Sequence, residues 1–218
     1  MAKRFPVYLV LDVSGSMGGS PIQAVENGLT TLKSALMSNP NSSEIAWVSI
    51  ITFGGNDAKQ SVPLTPLDEF NPPTLRASGG TPLTEALQEV TECAVREKKQ
   101  GDARPLVFLM TDGEPDGGVD LTKFDLGNPD LHFAINTFLN HHWIGIGACA
   151  AGSGANVDFL RKFTVNNGED VKELREVIVL DTTDQAGFEK FFQIVTNTTV
   201  KGSTGLIKDG YDPNSPAS

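Results

Sequence analysis

The sequence predicts an α/β fold: a doubly wound, mostly parallel sheet with one antiparallel edge strand and helices on both faces. Three observations carry that prediction. Short apolar runs, suited to strands buried on both sides, alternate along the chain with segments whose apolar residues recur every three or four positions. One pair of runs is separated by a turn too short for a parallel crossover. The 218 residues are 39% hydrophobic, enough to bury a substantial core with no disulfide or metal staple.

Residues 5–11 form the first strand-like run. Ser20-Pro21-Ile22-Gln23 then reads as a helix start, with Ser20 as N-cap, Pro21 in the first turn and Gln23 closing a capping box. Ile22, Val25, Leu29, Leu32 and Leu36 give that helix one apolar face, and Asn39-Pro40 ends it. Residues 45–53, rich in β-branched and aromatic side chains, predict a second buried strand. The turn at 54–57 leads to an antiparallel strand around 60–64, which Pro63 and Pro66 confine to an edge. A helix begins after Thr81-Pro82, with Leu83, Leu87, Val90 and Ala94 inward. Residues 106–110 are the next strand, 130–140 a helix, 143–148 a strand, 157–163 a short helix and 177–180 a last short strand. Phe188, Phe191, Phe192 and Val195 stripe the final helix. No internal repeat or second domain is visible. Residues 1–200 therefore read as one domain, and the turn to Gly, Ser, Asp, Asn and Pro predicts a flexible tail over 201–218.

Charge narrows the function. Seventeen basic against 27 acidic residues give −10, which argues against a general nucleic-acid binder. The densest basic stretch, Arg96 to Lys99, contains Glu97 and reads as an exposed helix face. Cys93 and Cys149 stand in no metal-binding or redox spacing and read as small buried or half-buried thiols of a reducing compartment. The apolar run after Lys3 and Arg4 is too short for a signal peptide, and no stretch is long enough to cross a bilayer. The expectation is a cytoplasmic protein with no membrane partner.

In a doubly wound sheet, ligands bind beyond the carboxyl ends of the strands. Three segments fall there: Asp12-Val13-Ser14-Gly15-Ser16, Gly79-Gly80-Thr81-Pro82 and Thr111-Asp112-Gly113. They offer the carboxylates of Asp12 and Asp112 and the hydroxyls of Ser14, Ser16 and Thr81, all hard oxygen donors of the kind Mg²⁺ takes. Each piece has a plainer explanation. Ser14 and Ser16 can bond their own turn, Thr81 can be an N-cap before Pro82, and the Thr111 segment can simply end a strand. Their coincidence on one sheet edge favours a metal site. Only two of the five donors are acids. If the hydroxyls bind directly and the acids act mostly through water, the ion keeps much of its charge and one coordination position for an outside carboxylate.

Asp12-x-Ser14-x-Ser16, then Thr81, then Asp112 resemble the metal-ion-dependent adhesion site (MIDAS) of the von Willebrand factor type A (VWA) family. The resemblance covers residues 5 to about 200 and implies a Rossmann-like domain that binds Mg²⁺ or Mn²⁺. It implies Ser14, Ser16 and Thr81 as the main direct ligands, with Asp12 and Asp112 acting mainly through waters and Asp112 able to switch to direct contact. A partner's aspartate or glutamate then completes the metal. Within the family, residues 6–12, 47–53 and 104–113 look most like the TerY-type VWA proteins of bacterial tellurium-resistance clusters. That likeness implies kinase-like or phosphatase-like protein partners and a stress-response role.

Other readings rank lower. Gly145-Ile146-Gly147 begins a dinucleotide fingerprint, but Ala150 replaces its third glycine. There is no P-loop and no nucleophile elbow. His132, His141 and His142 lie toward the far end of the topology, and His141-His142, just before a strand, read as solvent-facing loop residues. The acidic stretch 114–130, directly after Asp112, reads as a solvated rim that selects partners. An alternative function is a Mg²⁺-dependent phosphohydrolase or phosphotransferase with Asp12 as nucleophile. Such enzymes need a second acid where Ser14 stands and a phosphate-holding cation that no motif supplies. A domain that binds no metal is the third reading. The expectation is a non-enzymatic interaction module.

Overall fold

A computed structural model describes residues 4–112, 145–151, 155–161, 177–180 and 185–208. The strands are β1 (Phe5–Asp12), β2 (Ala46–Gly54), β3 (Asp57–Pro66), β4 (Leu106–Thr111), β5 (Gly145–Ala151) and β6 (Ile178–Leu180). The helices are α1 (Ser20–Met37), α2 (Pro40–Ile45), α3 (Leu83–Glu97), α4 (Val157–Arg161) and α5 (Gln185–Lys208), with a 3₁₀ turn at Gly15–Met17. The six strands run in the order β3-β2-β1-β4-β5-β6. All neighbours are parallel except β2 and β3. This is the mostly parallel sheet with an antiparallel edge that the sequence predicts.

The period of two along the strands decides which helix meets which side chain. Phe5, Val7, Leu9 and Leu11 of β1, with Leu106, Phe108 and Met110 of β4, pack with α1 and α5. Tyr8 and Val10, with Val107 and Leu109, pack on the other face with α3. Every residue of β1 is buried, as a central strand covered on both faces must be. Because β1 and β4 are adjacent while β1 also pairs with β2, the order reverses between them. Their carboxyl ends flank the crevice where such a sheet takes its ligand.

Three differences from expectation have local causes. Ser20 is the first helical residue rather than the N-cap; Gly19, at φ 81°, takes that place, and no side chain caps the helix. Asn39-Pro40 ends α1 and also starts α2, with the Asn39 side chain accepting from the Ser42 amide at 3.0 Å. The predicted tail is helical through Lys208, because its small residues pack. A Cβ on Gly202 would lie 2.7 Å from the Phe5 ring, and the Ser203 hydroxyl meets that of Ser42 at 2.9 Å. Gly202 and Ser203 therefore let α5 lie close to β1 and α2. Residues 209–218, the helix expected over 130–140, the acidic stretch 114–130 and the three histidines lie outside the described residues.

Cys93 and Cys149 are both free and buried, on opposite faces of the sheet. Gly145-Ile146-Gly147 is the start of β5, not the turn after a strand, so it cannot form a dinucleotide-binding loop. Among the described residues, no helix is long and apolar enough to cross a membrane.

Candidate metal centre

β1 delivers Asp12 at its carboxyl end, and the carboxylate is fully buried. Its Oδ1 accepts the Ser14 amide at 2.7 Å, which turns the chain sharply and places Ser14 above it. Its Oδ2 accepts the Thr111 hydroxyl at 2.6 Å, across from the end of β4. Asp12 thus locks two strand ends together before any ion is considered.

The 3₁₀ turn carries the hydroxyls outward. Ser14 Oγ lies 3.0 Å from Ser16 Oγ, and Ser16 Oγ donates to Asp112 Oδ1 at 2.9 Å. Ser14 is buried, Ser16 exposed and Asp112 half-buried, so the row opens to solvent at its middle member.

Thr81 arrives by a separate route. Gly15 donates to the Gly79 carbonyl at 2.8 Å, Ser78 donates to that of Val13 at 2.8 Å, and Gly80 donates to that of Gly55 at 3.0 Å. These bonds lace the segment before Thr81 to the ends of β1 and β2. Gly79 sits at φ 62°, and a Cβ there would fall 2.4 Å from the Gly55 Cα, so the approach needs glycine at 79; Gly55 has room for a side chain but sits at φ 69°, which also favours glycine. Thr81 is buried next to this junction. It is not the N-cap of α3; that position belongs to Pro82.

The electrostatics are one-sided. Burial raises the pKa of Asp12, opposed in part by the hydrogen bonds from Ser14 and Thr111 and reinforced by the charge of Asp112. Burial also raises Asp112, with the Ser16 hydroxyl pulling the other way. Among the described residues the ion pairs are Arg4–Asp102 and Arg161–Asp158, and neither touches this edge. Among the described residues, two carboxylates therefore face each other's field with hydroxyls and amides and no ion-pair partner.

The donor set fits a hard divalent cation. Adjacent oxygens of an octahedral Mg²⁺ shell lie about 3 Å apart, since each is about 2.1 Å from the ion. The Ser14–Ser16 and Ser16–Asp112 contacts, 3.0 and 2.9 Å, match that edge. No group of three or more His, Cys, Asp or Glu side chains suited to a metal occurs among the described residues, which excludes an all-acid or thiolate site there. Four of the five sequence-predicted donors, Asp12, Ser14, Ser16 and Asp112, form one bonded row, and the fifth, Thr81, is brought alongside through backbone contacts. Thr111 was missed as a partner of Asp12. Its only signal was its place directly before Asp112 at a strand end.

Compared with known proteins, residues 7–114 match the von Willebrand factor type A domain. Mouse (Mus musculus) inter alpha-trypsin inhibitor heavy chain 4 is 27% identical over 203 residues, covering 88% of this chain and 20% of that protein. The mussel-byssus proximal thread matrix protein 1 with zinc-occupied MIDAS motif aligns with a TM-score of 0.61 and 13% identity, over 90% of this chain and 48% of that one. Manganese-loaded Plasmodium vivax TRAP protein aligns with a TM-score of 0.57 and 19% identity, over 90% and 73%. This chain thus spans about a fifth of the mouse relative's length and about half of the mussel protein's. The matched segment contains all but the first two residues of β1, all of β2 to β4, and all five candidate donors. Together with the mostly parallel, helix-flanked sheet, these matches support the von Willebrand factor type A domain family for this chain.

Proposed function

We propose that this domain is a metal-dependent protein-interaction module. Ser14, Ser16 and Thr81, with Asp12 and Asp112, hold a divalent cation, Mg²⁺ or Mn²⁺, and an aspartate or glutamate of a partner protein completes its shell. The observation that carries this reading is the row Ser14–Ser16–Asp112, spaced at 3.0 and 2.9 Å, open to solvent at Ser16 and without an ion-pair partner among the described residues. The metal-loaded mussel and Plasmodium structures support it by fold. A bound ion would supply a Lewis-acid position at the open, Ser16 side of the row. The chain's own work is to fix the donors and leave that side uncovered.

The same geometry weighs against Asp12 as a nucleophile. Both its oxygens accept hydrogen bonds, from Ser14 and Thr111, and it has no solvent-facing surface. The resemblance to tellurium-resistance VWA proteins makes kinase-like and phosphatase-like proteins of a bacterial stress response, in the cytoplasm, the first partners to test.

Calorimetric titration of the metal-free protein with MnCl₂ and with MgCl₂ tests the site. One ion per chain is the expected result, with binding lost in Asp12→Ala and weakened at least about tenfold in Ser14→Ala. A flat titration of the folded wild-type protein contradicts it.

A further inference from the structure

Beside the metal turn lies a groove with a cavity of about 350 Å³, walled by Val13, by the ends of β2 and β3, and by the segment around Arg76. Val13 stands between Asp12 and Ser14, and its carbonyl is held by the Ser78 amide at 2.8 Å. Groove and candidate metal centre therefore share one wall. Lys59 from β3 and Arg76 from the following segment both line the groove and are exposed. Among the described residues, neither side chain makes a hydrogen bond or ion pair. The one acid in the lining, Asp57, is also exposed, and its Oδ1 accepts the Ala58 amide at 2.8 Å. The groove walls thus carry two cations and one anion in a chain whose net charge is −10.

Resting on the interaction reading above, we propose that this groove is a second anion subsite, which reads an acidic side chain of the partner close in sequence to the carboxylate at the metal. An acidic partner meets a repulsive overall field on this protein, and free cations next to the docking point offset it where contact is made. A lysine on an edge strand has a plainer use, since it discourages pairing with other chains. That accounts for Lys59 on β3. It does not account for Arg76, which reaches the same groove from a different segment. Hydroxyls at the groove, Thr52 and Ser61, bond each other at 2.5 Å, and Ser78 and Thr74 line the rim, so the pocket is polar and suits a carboxylate rather than an apolar anchor. In an extended partner, side chains on one face are about 7 Å apart, so acids placed two to four residues from the first sample separations of about 7 to 14 Å from the metal-bound carboxylate.

The test uses fluorescein-labelled Gly/Ser peptides with one central Asp, and the same peptides with a Glu added two, three or four residues to either side. Anisotropy titrations in MnCl₂ compare the wild-type protein with the Lys59→Ala/Arg76→Ala double variant, whose exposed positions leave folding intact by thermal melt. At one of these spacings the wild type binds the two-acid peptide about fivefold tighter than the one-acid peptide. That advantage shrinks at high salt and falls to about onefold in the double variant. Equal affinity for one-acid and two-acid peptides in the wild type, or an advantage that survives in the double variant, overturns the proposal. Absence of Mn²⁺-dependent binding by every peptide instead defeats the metal-bridged reading on which it rests, and with it this inference.

Discussion

The two ends of the parallel sheet handle buried acid in opposite ways. At the amino edge, Asp102 takes a bidentate grip from Arg4, with Arg4 Nε at 2.7 Å from Oδ1 and Nη2 on Oδ2. Arg4 also donates to the Glu97 carbonyl at 2.8 Å and stacks over Trp47, 4.7 Å from the ring centre. The Lys99 amide supplies another donor to Asp102 at 2.8 Å. That acid is neutralised from within the chain. At the carboxyl edge, Asp12 and Asp112 meet amides and hydroxyls among the described residues, and burial raises the pKa of both. A buried carboxylate with its own cation is a structural joint. One without it is where the proposed divalent cation would supply the missing charge.

Removing a partner from the amino edge should have the largest effect on stability. Asp102→Ala strands the Arg4 guanidinium, 9% exposed in its side chain, and should cost about 3–5 kcal/mol by chemical denaturation. The affinity for Mn²⁺ should not change in the folded fraction. The carboxyl edge should respond the other way. Asp12→Asn removes a buried charge that nothing neutralises, so the metal-free domain should stay as stable as wild type to within about 1 kcal/mol, while Mn²⁺ binding disappears. Saturating Mn²⁺, at about 100 times its dissociation constant, should stabilise wild type by about 2.7 kcal/mol and Asp12→Asn not at all.

A smaller effect separates the edges by pH. Because the folded-state pKa values of Asp12 and Asp112 are raised, the fold binds their protons more tightly than the unfolded chain does. Their contribution favours the metal-free fold at low pH and is lost as pH rises through the raised values. Protons compete with the ion for the same oxygens. Mn²⁺ affinity should therefore begin to fall on acidification while the pH is still above the ordinary carboxylate range near about 4. A calorimetric series across that range checks it, and an affinity that is flat down to that pH contradicts it.

The smallest effect tests the core between the edges. Burial, then Glu89, pushes the Cys93 thiol up to about 12, and burial also raises Cys149. Neither should react with a thiol reagent at pH 8 in the native protein, and both should react in denaturant. The thiols favour the fold fully below the unfolded thiol pKa, near about 8.5, and lose that contribution as pH rises toward the folded values.

The carboxyl edge was the more legible of the two because its chemistry is local. Asp12, Ser14 and Ser16 are packed into one turn, whereas the close approach of Gly79 to Gly55 shows only in the structure. The strands were legible as apolar runs, down to the proline-bearing edge strand β3. The Arg4–Asp102 pair was not, since its members lie 98 residues apart and each alone resembles a surface charge. The same holds for Glu97, whose carboxylate accepts from Tyr8 at 3.1 Å and from the Leu64 amide at 3.1 Å. Small residues misled in α5, where Gly202 and Ser203 read as a tail but serve close packing against Phe5 and Ser42. Composition reports what a segment can do alone; these positions depend on what it packs against.

The central claim is that the carboxyl edge is finished by a divalent cation. Crystals grown in MnCl₂, with data collected for manganese anomalous scattering, test it most directly. The account predicts one strong anomalous peak among Ser14, Ser16, Thr81 and Asp112, with Asp12 behind it. A well-ordered site with these five side chains gathered and no peak among them would contradict it.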